Sequence, residues 1–273
     1  MSNWLHELPV PWMAILIFGV TYLAAAGIHA LVSALAVGER ARAFKVVSPG
    51  MLSPLCIIFG LFVVFTAAQV WGDNDRASAA VSSEARALRA IQILGGSFPG
   101  EPEAQLKNLI RRYIEEAAGR EWPMMARGIA TLQVIPSALA EALQLTLTLS
   151  PTTPGQRIAQ RELTVALQNA LDARRQRILI SQSQVNLTKW SLLALQALCA
   201  LVAIAMVHSE NRLASLIILG LFATGIAAAA LLITAYDRPF IGQLAVGPQP
   251  LLQVIPEARK SPDEIKGQGP PAQ

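Results

Sequence analysis

Charge is scarce in this sequence: 15% of its 273 residues are Asp, Glu, Lys or Arg, and the mean hydropathy is +0.44. An ordinary soluble domain carries more charge than that on its surface. Aromatic residues are also few, at 6%, which argues against an outer-membrane barrel with its aromatic girdles. The two cysteines, Cys56 and Cys199, both lie in apolar runs, where they behave as small hydrophobes and disclose no redox compartment. The chain has no Walker loop, no G-x-S-x-G, no H-E-x-x-H, no EF-hand loop and no Cys/His ligand set. No enzymatic activity, cofactor or metal is therefore expected. The net charge of +4 comes from dispersed basic residues without zinc or helix-turn-helix spacing, so a nucleic-acid partner is not expected either.

Long apolar runs are what the chain does have. Crossing roughly 30 Å of hydrocarbon takes about 20 apolar residues at 1.5 Å each, and four stretches qualify: residues 11–37, 51–71, 190–207 and 213–235. The first lacks the basic n-region of a signal peptide and is longer than an h-region. The last two are joined only by residues 208–212 and so read as a tight antiparallel hairpin. The expected fold class is all-α: a helical membrane protein with four transmembrane helices and a cytoplasmic helical bundle inserted between the second and third spans. Its expected divisions are 1–71 for the first two spans, 72–189 for the bundle, 190–235 for the last two spans and 236–273 for a tail.

Orientation follows from basic residues near span ends. Arg76, Arg86, Arg89, Arg174, Arg175, Arg177, Lys189 and Arg238 share one side, which the positive-inside rule assigns to the cytoplasm together with both termini. Arg40, Arg42 and Lys45 in the first loop pull the other way, but the larger count prevails.

Small residues recur every fourth position, at Ala26, Ala30 and Ala34 in the first span and at Gly220, Thr224 and Ala228 in the fourth, a spacing that predicts close helix packing. His29, beside the first set, reads as a hydrogen-bonded packing residue. Between the spans, Leu106, Leu109, Ile110, Tyr113, Ile114 and Ala117 keep helical periodicity after a Pro-Gly-Glu-Pro turn at 99–102. At the next turn Thr153 is the expected N-cap and Pro154 the first helical residue. Residues 156–207 hold no proline or glycine, which predicts one helix reaching well beyond the membrane. Asn186-Leu187-Thr188 matches a glycosylation pattern by chance within that helix. Asp73 and Asp75, beside Arg76, read as a solvated helix start rather than a cation site, because calcium normally takes six or more oxygens. The last 30 or so residues, with "VIPEARKSPDEIKGQGPPAQ", read as a disordered tail.

Three stretches carry a resemblance. "GLFVVFTAAQVW" followed by "DNDRA" and "SSEARALRA" is similar to the second transmembrane helix and its extension in the bestrophin-like proteins, a bacterial four-span family. "YDRPFIGQLAV" at 236–246 resembles that family's segment after the last span, here Asp237, Pro239, Phe240 and Gly242, and "EWPMM" at 121–125 resembles its middle region. The resemblance runs from about residue 11 to 252. Bestrophins proper are more distant: pentameric anion channels whose second helices line a pore with a hydrophobic neck. Gly60, Phe62 and Phe65 match the Gly-x-Phe-x-x-Phe run of their bacterial members. Their aromatic and arginine-rich continuation is replaced by Gly72, Asp73, Asn74 and Asp75, and the acidic calcium-binding cluster of the animal channels has no counterpart.

The resemblance implies a homo-oligomer, a pentamer in a bacterial inner membrane, with lipid around it and small anions as the passing ligand. Gly60, Asp73, Asp75, Arg76, Glu84, Asp237, Pro239, Phe240 and Gly242 are its motif residues. Ile58, Phe62, Phe65 and Gln69 share one helical face at i, i+4, i+7 and i+11 and are the candidate pore lining. Rings of such side chains can gate by dewetting; the same stripe can also pack against neighbouring spans. A second function class stands beside the channel: a non-conducting membrane scaffold or sensor whose helical bundle binds a protein partner.

Overall fold

The computed structural model describes residues 8–36, 49–183 and 185–255. Arg40, Arg42 and Lys45 of the first loop, and the tail from residue 256 on, lie outside the described residues. The disorder expected of the last 30 or so residues is corrected for their described part: Gln249–Leu252 form a helical turn, and Leu251 and Val254 are buried because their apolar side chains pack. Every regular element among those residues is helical. The chain divides into two compact units, one formed by Met1–Asp75 with Ser183–Ala245 and the other by Arg76–Gln182 with Val246–Gln273.

The first unit contains α1 (Val10–Leu35), the beginning of α2 (Leu52–Gly95), α7 (Leu187–Val207) and α8 (Arg212–Tyr236). All four helices are long and apolar enough to cross a membrane. Pro11 sits in the first turn of α1, where its missing N–H costs nothing. α1 packs most extensively on α8. Ala25, Ile28 and Val32 of α1 meet Leu201, Ile204 and Ala205 of α7 and Leu219 and Ala223 of α8. A second cluster joins Phe59, Ala67 and Val70 of α2 to Leu193 and Ala197 of α7 and Ile233 of α8. The opposite faces are apolar too: Leu23, Phe65 and Leu221 are exposed. Such a surface suits hydrocarbon and not water.

The expected small-residue faces are displaced by one position. Ala26, Ala30 and Ala34 are exposed, as are Thr224 and Ala228, while Gly220 is half-buried. The packed rows are Ala25, Ile28 and Val32 on α1 and Ser215, Leu219, Ala223 and Ala227 on α8. The contact therefore mixes small residues with branched ones that fill the space between helices. Thr224 serves its edge, within 2.8 Å of the Tyr22 hydroxyl. His29 Nδ1 lies 3.3 Å from the Ser215 hydroxyl, a polar pair inside an apolar contact.

The second unit holds the remainder of α2, then α3 (Glu101–Glu116), a π-helical turn over Ala117–Glu121 leading directly into α4 (Trp122–Ala126), α5 (Ser137–Thr148), α6 (Pro154–Ser181) and the single turn α9 (Gln249–Leu252). Gly100, at φ +96°, takes a backbone conformation that suits glycine and sets up the start of α3. Leu106, Ile110, Tyr113 and Ile114 form the buried stripe of α3. Thr153 caps α6: its hydroxyl accepts from Gln156 N at 3.1 Å, and Gln156 Oε1 accepts in return from Thr153 N. Gln156 Nε2 also donates to Ser97 O.

Two expectations about helix limits are corrected. Residues 156–207 are not one helix: α6 stops at Ser181 and α7 begins at Leu187. Neither proline nor glycine makes this break; side chains replace the helical hydrogen bonds. Asn186 caps α7 by accepting from Lys189 N at 2.9 Å, so Asn186 stands at a helix start and not within a helix. Asp73 and Asp75 do not start a helix; they lie inside α2. Asp75 is exposed, whereas Asp73 is buried and accepts from the Ser183 hydroxyl at 2.9 Å.

Candidate functional site

The pore-lining candidates lie on α2. Ile58, Phe62 and Phe65 are 46%, 43% and 71% exposed, and the inward face of this segment is instead Phe59, Thr66, Ala67 and Val70. The aromatic stripe is therefore not used to pack this chain's own helices. Gln69, half-buried, accepts a hydrogen bond from the Lys189 ammonium. At Gly60 an added Cβ would meet nothing, so no close approach within the chain requires glycine there.

Two of the motif segments converge. Asp73 of α2 holds the Ser183 hydroxyl, and Asp237, just past α8, accepts from Val185 N at 2.6 Å. Both carboxylates thus secure the short connection between α6 and α7. After Tyr236 the helix ends, as Pro239 requires of the residues before it. Phe240 is buried, and Gly242 has φ +89°, where glycine is favoured. The segment through Ala245 belongs to the first unit.

Glu84 and Arg76 lie farther along α2, in the second unit. Arg76 is exposed; Glu84 is fully buried at the centre of a charge cluster. On α2 the buried stripe is Ala77, Val81, Glu84, Leu88 and Ile91; on α6 it is Leu163, Leu167, Ala170, Arg174, Arg177 and Ser181. Each stripe has helical spacing, and each carries charge where an apolar residue would be usual. Arg177 answers Glu84 in a bidentate pair, Nε to Oε2 at 2.7 Å and Nη2 to Oε1 at 3.1 Å. The Arg177 Nη2 also donates to Glu121 Oε2 at 3.0 Å, and Arg174 donates from Nε to Glu121 Oε1 at 2.8 Å. Tyr113 of α3 donates its hydroxyl to Glu84. The Arg177 guanidinium rests 4.5 Å from the centre of the Trp122 ring, and the Trp122 indole donates to Val246 O.

Two arginines and two glutamates cancel formally, and Tyr113 stays neutral. Burial, then the Glu84 charge, push the Tyr113 hydroxyl well above its usual range. Burial alone would lower the Arg177 pKa; Glu84 and its neighbours outweigh it, so the guanidinium holds its proton more tightly than usual. Removing one partner from such a buried pair costs about 3–5 kcal/mol, because the other charge remains in place without compensation. The cluster is a clamp tying α2, α3, the π-helical turn and α6. Arg174 and Arg177, counted from sequence among the basic residues near span ends, are both buried, with Glu121 and Glu84 supplying the counter-charges. The available signal was their place on an otherwise apolar stripe. Among the described residues no group of three or more His, Cys, Asp and Glu is arranged to hold a metal ion.

Compared with known families, the chain matches the bestrophin-like domain over residues 19–251. It belongs to the bestrophin-like family. Neither a curated protein nor a solved structure matches it. With its four membrane-length helices, this bestrophin-like chain is a multi-pass membrane protein.

Proposed function

We propose that this protein is an oligomeric ion channel of the bestrophin-like kind, a homopentamer passing small anions through a central pore lined by α2. One observation carries the reading: α2 is a single helix of 44 residues whose apolar half presents Ile58, Phe62 and Phe65 outward, while its polar half is clamped at Glu84. A simple membrane anchor has no reason to continue unbroken for that length. A pore helix does, because it continues into a vestibule and must hold its rings in register. In this reading Ile58, Phe62 and Phe65 form a hydrophobic neck that gates by dewetting, and Gln69 closes the lining. The second unit and both termini lie in the cytoplasm of a bacterial cell.

The test is flux through reconstituted liposomes. Phe62→Ala with Phe65→Ala widens the neck, and halide flux should rise or lose its control. If the rings instead fill a core, the same changes leave cavities costing roughly 3–5 kcal/mol each, and the protein loses stability without gaining flux. Native mass in detergent separates a ring from a monomer or dimer. A second reading, a non-conducting scaffold whose second unit binds a protein, is favoured by the exposed Ile129, Val134 and Ile135 between α4 and α5. A double mutant as ion-tight as a wild type that also shows no flux would support the scaffold.

A further inference from the structure

Within the first unit, a crevice of about 160 Å³ opens between α2, α7 and α8. It exists because four alanines, Ala194 and Ala197 on α7 and Ala229 and Ala230 on α8, line it where larger side chains would fill it. Phe59 and Val63 form the α2 wall, and the lining presents no polar atom. Apolar cavities of about 150 Å³ accept a ligand of benzene size, and an apolar lining offers water no hydrogen-bond partner. Leaving it empty forfeits the dispersion contacts of its lining. All three walls are helices of membrane-spanning length, where the surrounding solvent is lipid tail.

The start of α7 supplies the other half of a lipid. Trp190 lines the crevice, and Lys189 immediately before it is exposed. Tryptophan favours the membrane–water interface, and a lysine at that level attracts lipid phosphate. The Lys189 ammonium gives one hydrogen bond to Gln69, and its three donors leave two for another oxygen ligand. We propose that this crevice binds one acyl chain of an anionic phospholipid, whose phosphate pairs with Lys189. The site does not depend on conduction, although Phe59 and Val63 share α2 with Phe62 and Phe65.

The experiment uses the full chain in vesicles of phosphatidylglycerol or phosphatidylcholine with brominated tails. The Trp190 signal is taken as the difference in tryptophan emission between wild type and Trp190→Phe. Bromine should quench it strongly. A single lysine–phosphate attraction corresponds to about a fivefold preference for the anionic lipid, and Lys189→Gln should bring the two lipids level. Ala230→Leu fills the crevice and should weaken the quenching while keeping the melting temperature; Ala194→Leu provides a second filling variant should that one not fold. The proposal is overturned if Trp190 emission ignores the bromines in wild type, if quenching is the same in wild type and in a folded crevice-filled variant, or if Lys189→Gln keeps the headgroup preference. Loss of oligomer mass in a filled variant, with wild-type Trp190 unquenched, would show that a second copy of the chain occupies the crevice instead.

Discussion

A buried arginine is tolerable only when its partners are already in place, and Arg177 has several. Its guanidinium meets two carboxylates, a thioether sulfur and an indole face. Tyr113 completes the arrangement by giving Glu84 a further donor. The pH consequence follows from the direction of its shift. A phenol raised above its unfolded value of about 10 contributes stability that is fully present below that pH and is lost as the pH rises toward the folded value. Tyr113→Phe keeps the ring but removes both the donor and the titration. At neutral pH the variant should lose about 1–3 kcal/mol, since Glu84 keeps its charge with one hydrogen bond fewer. Above about pH 10 its further loss should be shallower than that of wild type. Circular dichroism of unfolding in detergent, from neutral to about pH 11, measures both; parallel curves for the two proteins would overturn the assignment. Glu84 was legible as part of a resembling segment, but its partner was not. A residue 93 positions away reaches it only through the packing of α6 on the unit's other helices, and no local pattern encodes that.

At the scale of elements, the apolar spans and the start of α6 were legible because their causes are local: continuous hydrocarbon length in one case, Thr153, Pro154 and Gln156 in the other. The break between α6 and α7 was not. Its sequence would continue a helix, and the competing acceptors come from distant positions, Asp73 and Asp237. Of these, Asp237 has the clearer consequence, because it accepts from the backbone of Val185, a buried residue. Asp237→Ala leaves that N–H without its acceptor and should cost about 1–3 kcal/mol. Asp237→Asn retains a carbonyl oxygen there and should recover part of the loss. Thermal unfolding in detergent should therefore rank wild type above Asn and Asn above Ala. If Asp237 only marks the end of α8, all three melt together.

For the whole molecule, the assignment of sides rests on cations whose setting the fold has partly changed. Arg174 and Arg177 are spent on Glu121 and Glu84. Setting them aside leaves Arg76, Arg86, Arg89, Arg175, Lys189 and Arg238 on one side of the spans, against Arg40, Arg42, Lys45 and Arg212 on the other. The balance keeps its sign, so residues between α2 and α7 are expected in the cytoplasm. A reporter active only in the periplasm tests this at two places. Fused after Gly100, at the turn between α2 and α3, it should be silent; placed between α1 and α2, it should be active. The α1–α2 loop is the informative position, because its three basic residues follow a first span preceded by no lysine or arginine and by themselves favour the opposite orientation for α1. Replacing Arg40, Arg42 and Lys45 with glutamine removes that conflict and should leave the reporter pattern unchanged. A reversed pattern, active after Gly100 and silent in the loop, would place the second unit outside the cytoplasm and leave the proposed vestibule on the wrong side of the membrane.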